Sequence, residues 1–321
     1  MPRNWKNARF GSARGFVARQ LLKLNHYYWR DIEQLSVDEL REQSDRLAKT
    51  MHQPPDSIHI NDVVLDSLTV QHLEMGDEPK TRALLYVHGG GFIGGSPDTT
   101  HVDYLWRLAE EIDCAVYAPF YRKSPEYLYP AALDDIYKSY QYLVEKYGVN
   151  NLVIGGDSSG GGLALALLLK LKQEGLTLPM ALVLVSPWVD LKGTGMSVIT
   201  NWATDNIVPG HLLRQIAALY LGTESPDNPL ASPLYGDFEG LPPTLIQVSD
   251  TEVLLDDSRR LAEKMEEAGV IVKLDIWHNQ PHVWHLMARW VPESREAIRD
   301  IAGFLNQHWK RSSWLNNLMK R

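Results

Sequence analysis

The sequence predicts an α/β protein: a mostly parallel, eight-stranded sheet flanked by helices and carrying a helical cap. Three observations point there. Short apolar runs alternate with longer amphipathic runs from residue 83 onward, the rhythm of strands covered by helices on both faces. One apolar run, beginning Asn151-Leu-Val-Ile, meets Gly156-Asp-Ser-Ser-Gly160 and then an Ala/Leu-rich stretch, so G-x-S-x-G stands between a strand and a helix. Another, residues 83–87, leads straight into His88-Gly-Gly-Gly-Phe92.

The first 55 residues show helical patterning without a strand signal, and Pro54-Pro55 closes that block. They are expected to form N-terminal cap helices, in which Phe10, Phe16, Val17, Leu21, Leu22 and Leu24 suggest one buried face. Residues 56–321 are expected to form the main domain. Two alternating runs, 58–66 and 68–75, read as an antiparallel pair. Strand 83–87, helix 102–112, strand 114–118 and helix 131–147 follow. After the Gly156–Gly160 unit comes strand 181–185. The alternation breaks at about residues 191–240, where Trp202, the run 211–221 and several Gly/Pro turns suggest a helical insertion into the cap. It resumes with strand 244–248, helix 257–268, strand 270–277 and helix 293–309.

A chain of 321 residues suits one large domain with an appended cap. The formal charge of −8 argues against a nucleic-acid partner. Charge is unevenly spread, with seven basic residues and no acidic one before Asp31. Such a start fits a transit peptide or a membrane-surface helix as well, but the apolar positions favour a cap helix. The single cysteine, Cys114, lies in an apolar run and reads as a buried strand residue. No run approaches the ~20 apolar residues of a membrane span, and no signal-peptide pattern opens the chain. A cytoplasmic protein without membrane contact is the expectation.

The chemistry follows from the two glycine-rich turns. A tight strand-to-helix turn pushes its central residue into a strained backbone and lifts the side chain above the sheet, which makes Ser158 the candidate nucleophile. Gly156 and Gly160 let neighbouring backbone pass where a Cβ would clash. A phosphate cradle is the alternative, but no Lys precedes the serine pair and the spacing is not G-x-G-x-x-G. Glycines at 89–91 free backbone N–H groups to face a substrate oxygen as it becomes an oxyanion, with the N–H of Ser159 as the third donor.

These pieces resemble the hormone-sensitive-lipase-like branch of the α/β-hydrolases, the bacterial family IV esterases. The matching segments are His88-Gly-Gly-Gly-Phe92, Tyr121-Arg122, Pro125-Glu126, Pro130-Ala-Ala-Leu-Asp-Asp135, Gly156-Asp-Ser-Ser-Gly-Gly161, Ser186-Pro-Trp-Val-Asp190 and Glu252-Val-Leu-Leu-Asp-Asp-Ser258. The resemblance implies the α/β-hydrolase fold, Gly90 and Gly91 as oxyanion donors, and His88 as a residue that braces the loop. It implies a carboxylesterase acting on a small ester with short-to-medium acyl chains, with lactones or acetylated small molecules as alternatives. Pairing through the last strand into a homodimer is a further implication. The chain departs from the family at Lys123-Ser124, where Leu-Ala is common, and at Ser159, where Ala is usual. The second change is expected to be nearly harmless, because the backbone N–H acts there.

In this fold the partners follow in the order Ser, acid, His. Of the late histidines, His278 ends a strand, His285 is expected on the following helix and His308 lies far down the last one. His282 falls in the loop, behind Pro281, and matches the family's base. The cluster of three histidines is not expected to bind metal, since no Cys lies near and His282 already has a role. No cofactor is expected. For the acid, the family's motif sets Glu252 at the triad position, with Asp250 the alternative. Asp256 and Asp257 read as carboxylates favoured by a helix N-terminus. Trp5, Phe10, Phe16, Tyr27, Tyr28, Trp29 and Trp202 are candidates to wall an apolar pocket. A non-catalytic receptor that keeps the pocket and loses the base is the rival of another class, disfavoured by the intact Ser158, Glu252 and His282.

Overall fold

A computed structural model of the chain describes residues 4–6, 12–28, 36–48 and 54–319. The strands are β1 Asn4–Lys6, β2 Ile58–Leu65, β3 Leu68–Met75, β4 Ala83–Val87, β5 Ala115–Pro119, β6 Leu152–Asp157, β7 Leu182–Val185, β8 Thr244–Ser249 and β9 Val272–Trp277. They form one sheet in the order β1-β9-β8-β7-β6-β4-β5-β3-β2. Strands β4 to β9 pair in parallel, and β3 joins β5 and β2 antiparallel.

Every residue of β4 to β8 is buried, because helices cover both faces and neither face can be polar. On one face lie α3 (Val102–Ile112) and α9 (Pro292–Met319), with Tyr104, Leu105, Leu108, Ile301 and Leu305 in their core. On the other lie α4 (Ala131–Tyr147), α5 (Ser158–Gln173) and α8 (Leu255–Glu267). Helix α5 is apolar all round and buried along nearly its whole length, as its Ala/Leu composition requires.

The order of the strands places the site. The chain runs from β4 to β5 on one side, then crosses back to β6 on the other side of β4. Loops after β4 and β6 therefore diverge at a switch point, where open α/β sheets bind ligands. Val87 pairs with Gly156, so the His88–Phe92 loop and the Ser158 turn leave the sheet side by side.

The eight expected strands are present, and a ninth corrects the reading of residues 1–55 as strand-free. Strand β1 is only three residues long, too short for an alternating pattern to register. It pairs parallel with β9, from Asn4↔Asp275 to Lys6↔Trp277, and so covers the outer edge of the last strand. A homodimer built on that edge would meet β1 first.

The N-terminal block also holds helices α1 (Ala13–Tyr28) and α2 (Val37–Ala48). The expected buried face of α1 needs correction: Phe16, Val17 and Leu21 are 55%, 55% and 61% exposed, and only Leu22 is half-buried. The buried positions are instead Gly15 and Arg19, turned toward Glu293, whose carboxylate takes the Ser12 hydroxyl at 2.9 Å. Phe10 lies outside the described residues, as does the side chain of Leu24. The 191–240 insertion contains α6 (Ser197–Thr200) and α7 (Leu213–Leu221). No described helix is long and apolar enough to cross a membrane.

Candidate active site

Ser158 follows the last residue of β6 and opens α5, with φ at +51°, a left-handed conformation costly for any residue with a Cβ. The strain foreseen from the motif is there, and the packing that enforces it is tight. A Cβ on Gly156 would stand 2.4 Å from Gly160 O, and one on Gly160 would stand 2.2 Å from Val87 O. Ser158 O accepts from Trp188 N–H at 2.9 Å, which ties the turn to the Ser186-Pro187-Trp188 segment after β7.

The loop after β4 is braced from several sides. His88 is buried, stacks on Tyr121 at 4.4 Å between centroids, and places Nδ1 2.7 Å from Gly89 O. Burial, then the nearby His101 and Lys123, hold its pKa well below the ordinary imidazole value, so it stays neutral. This matches a bracing part and no role as a base. Asp157 takes Gly89 N–H at 3.2 Å and the Tyr86 hydroxyl at 3.0 Å. Burial alone would raise that carboxyl, but His101, Tyr86 and His88 outweigh it and hold it low. Gly90 and Gly91 have φ of +129° and +63°. Among the described residues, the N–H groups of Gly90, Gly91 and Ser159 donate to no protein acceptor. All three lie at the switch point and remain available to an anion.

Glu252 and His282 come together. Glu252 sits in the turn after β8 and His282 in the loop after β9; both are buried, and Glu252 Oε2 lies 2.6 Å from His282 Nδ1. The other carboxylate oxygen, Oε1, accepts from Ser249 N–H at 2.7 Å and from the Ser186 hydroxyl at 2.8 Å. Burial pushes the Glu252 carboxyl up, opposed by the hydrogen bond and charge of His282 and by Ser249 N–H. Burial pulls His282 down, but the hydrogen bond and charge of Glu252, with Asp205 and Asp157, reverse this and raise it. With Nδ1–H committed to Glu252, Nε2 is left to accept a proton.

The alternative acid is engaged elsewhere. Asp250 Oδ2 lies 2.6 Å from His278 Nδ1, and its Oδ1 takes Asn279 N–H at 2.7 Å. These bonds lace the acid turn to the base loop, as do Thr251 Oγ1 to Gln280 O at 2.8 Å and Gln280 N–H to Ser249 Oγ at 2.8 Å. His285 stands in a short 3-10 turn, Trp284–Met287, ahead of the following helix and not on it. Its Nε2 lies 2.8 Å from Gln247 Oε1. Burial pushes it down to about 3, which makes it a neutral core histidine.

Sequence reasoning missed several supports. Ser186 lay inside a quoted motif with no role assigned to it. Asn201 Nδ2 donates to Asp250 O at 3.0 Å and to Glu252 O at 2.8 Å, so the insertion holds the acid turn from outside. Arg41 on α2 donates to Ile93 O at 2.7 Å, Ser124 O at 2.9 Å and both oxygens of Glu126 at 2.7 and 2.8 Å. No local pattern signals contacts of such sequence separation. Asp257 is more than a helix-end carboxylate: it is buried and takes the N–H groups of Val189 and Asp190, both at 3.0 Å. Of the expected pocket walls, Trp202 is 61% exposed and Phe16 is also outward-facing. Trp29 lies outside the described residues, as do the side chains of Trp5, Tyr27 and Tyr28. The apolar residues against the loop are Tyr220, stacked on Phe92 at 3.9 Å, and Ile216, whose Cγ2 lies 3.3 Å from where a Gly91 Cβ would be.

A carboxylate-fixed imidazole, a strained serine at a helix start and three free N–H groups suit acyl transfer through an oxyanion. Comparison with known proteins agrees with that chemistry. A family model described as alpha/beta hydrolase fold matches residues 84–286. The chain is 41% identical over 225 residues to an acetyl-hydrolase of Streptomyces hygroscopicus, covering 70% of this chain and 75% of that one. It is 35% identical over 272 residues to an esterase of Acinetobacter venetianus, covering 84% and 89%. A crystal structure of an esterase from the bacterial hormone-sensitive lipase family superposes with a TM-score of 0.87 at 34% identity, covering 94% of this chain and 99% of that one. A hormone-sensitive lipase from a metagenome library gives a TM-score of 0.85 at 34% identity, covering 92% and 98%. The chain belongs to the hormone-sensitive-lipase family of α/β-hydrolase-fold enzymes and is a carboxylic ester hydrolase.

Proposed function

We propose that the chain is a carboxylesterase for short-to-medium acyl esters that works through an acyl-enzyme on Ser158. His282 Nε2 takes the Ser158 proton as Oγ attacks the ester carbonyl, and Glu252 orients and stabilises the imidazolium. The N–H groups of Gly90, Gly91 and Ser159 hold the oxyanion. His282 then protonates the leaving alcohol, and in the second half it activates the water that releases the acid. The reaction consumes one water and requires no metal or cofactor. Helix α2 and residues 191–240 act as the cap over this site.

The observation that carries the reading is the buried Glu252–His282 contact at 2.6 Å, with three donors aligned on one carboxylate. The Asp250–His278 pairing supports Glu252 over Asp250 as the acid. Removal of acetyl groups from small molecules is the favoured variant of the activity, since the Streptomyces relative is named an acetyl-hydrolase and one from Pseudomonas putida, 30% identical, an ethyl acetate hydrolase. Lactone opening would use the same residues.

Mixing the enzyme with p-nitrophenyl acetate tests the reading. It predicts a burst of nitrophenol approaching one equivalent wherever deacylation is slower than acylation, and none from Ser158→Ala. Turnover retained by a folded Ser158→Ala would refute it, and a wild-type chain that binds esters without cleaving them would favour a receptor. A chain-length series of nitrophenyl esters with a few lactones then sets the substrate range.

A further inference from the structure

The three proposed oxyanion donors belong to two separate segments. Gly90 and Gly91 ride on the loop after β4, and Ser159 on the first turn of α5. Asp157, just ahead of α5, ties Gly89 N–H to the helix at 3.2 Å, and a second side chain joins the segments beside the donors themselves. Ser159 Oγ accepts from Phe92 N–H at 3.2 Å, and Ser159 is fully buried. A non-glycine residue with left-handed backbone stands at each end of this bond: Ser158 next to Ser159, and Phe92 itself with φ at +65°. Such residues relax toward negative φ unless neighbours hold them.

The rest of Phe92 is held by other parts of the molecule. Its carbonyl accepts from Ser124 N–H at 3.0 Å, and its ring stacks on Tyr220 and tilts against Trp188 at 5.5 Å. Its N–H has the Ser159 hydroxyl as its acceptor. That N–H belongs to the peptide plane adjacent to the one carrying the Gly91 N–H, so a shift of the loop toward another partner displaces that donor as well. With alanine at 159, Phe92 N–H would be buried without a partner, an unfavourable state that the loop can relieve only by shifting.

We infer that the Ser159 hydroxyl is a positioning residue for the oxyanion pocket, setting the gap between the helix donor and the two loop donors. The inference rests on the proposed acyl-enzyme reading. It departs from the expectation that serine at 159 is nearly harmless because only its N–H acts, and the test below decides between the two. An oxyanion is held well when each donor stands ~2.7–3.1 Å from it, and that distance depends on the two segments keeping one separation. The ground-state carbonyl is held less tightly, so the hydroxyl should matter for turnover more than for binding.

The test is Ser159→Ala, which keeps the N–H and removes the acceptor. With p-nitrophenyl acetate, kcat should fall roughly 10- to 100-fold with KM within about 3-fold of wild type. A trifluoromethyl ketone, which forms a tetrahedral adduct, should lose affinity by about the same factor, while its unfluorinated counterpart should not. Rates are compared well below each protein's own melting midpoint, so that lost rate is not lost fold. Unchanged kcat and unchanged trifluoromethyl ketone affinity overturn the inference. So does an equal loss for both ketones, which would mark a general loosening of the site. Failure of the underlying reading looks different: the wild-type chain would then not turn over the ester at all, or a folded Ser158→Ala would retain its turnover.

Discussion

The hydroxyl of Ser186 donates to Glu252 Oε1 at 2.8 Å, linking the segment after β7 to the carboxylate that fixes His282. Ser186 has φ at +45°, and its Oγ also lies 3.4 Å from the N–H of Val283, next to the base. The Ser186-Pro187-Trp188 segment thus touches Glu252, the residue after His282 and, through Trp188 N–H, Ser158 O. Ser186→Ala leaves Ser249 N–H as the remaining donor to Oε1. It should lower kcat about 3- to 10-fold with little change in KM, because a hydrogen bond to a charged group is lost while substrate contacts are kept. Steady-state kinetics on one ester decides it, and a raised KM with unchanged kcat would contradict this role.

Glu252→Gln and Asp250→Asn separate the two candidate acids. The amide at 252 cannot hold the imidazole in the right tautomer or balance its charge, so kcat should fall roughly a thousand- to ten-thousand-fold. Asp250→Asn weakens only the tie between the acid turn and the base loop, and should cost about tenfold or less. The reverse ranking would reassign the acid.

The pH profile carries a sign. His282 must be neutral to act as a base, and the Glu252 carboxylate raises its pKa despite burial. The acid limb of kcat/KM should therefore lie above about 6.5, the ordinary imidazole value, and activity should fall as pH drops through it. In Glu252→Gln the limb should move down. A wild-type limb below the ordinary value, or one unmoved by the substitution, would contradict the account.

Asp257 predicts a stability effect away from the chemistry. Burial, with the Asp190 charge adding, pushes its carboxyl up to about 7 from an ordinary 3.8. The folded state therefore holds this proton more tightly than the unfolded chain. Its contribution is fully present below about pH 4 and is lost as pH rises through about 7. Asp257→Asn cannot ionise, so its thermal midpoint should drop less than that of wild type between about pH 6 and about pH 8.5. Parallel drops in the two proteins would show that other groups set the dependence.

Arg41 ties helix α2 to the segments around Ile93 and Ser124. It reaches Ile93 O and Ser124 O and pairs with Glu126, and both ion-pair partners remain partly in water. Such a pair contributes about 1 kcal/mol or less to global stability. Its planar fork, though, fixes Ile93, Ser124 and Glu126 at once. Arg41→Gln should lower kcat/KM about 3- to 20-fold while the melting midpoint moves little. A large loss of stability with unchanged kcat/KM would contradict it.

Much of the fold was legible because its signals are local. The all-apolar strands, the Ala/Leu run of α5 and the two glycine turns each announce themselves within a dozen residues. Ser158, Glu252 and His282 were legible as positions in an ordered set of motifs. Their supports were not, since Ser186 to Glu252, Asn201 to Asp250 and Arg41 to Ile93 join segments whose proximity only the folded sheet and cap create. Strand β1 was too short to carry a period. The outward side chains of α1 misled because an apolar stripe tells which residues share a face and not whether that face is covered.

The most direct measurement is labelling by a fluorophosphonate, with the adduct mapped by peptide mass spectrometry. The account predicts one adduct per chain on Ser158, abolished by Ser158→Ala and strongly slowed by His282→Ala. An adduct on another residue, or labelling that persists in the folded Ser158→Ala chain, would contradict it.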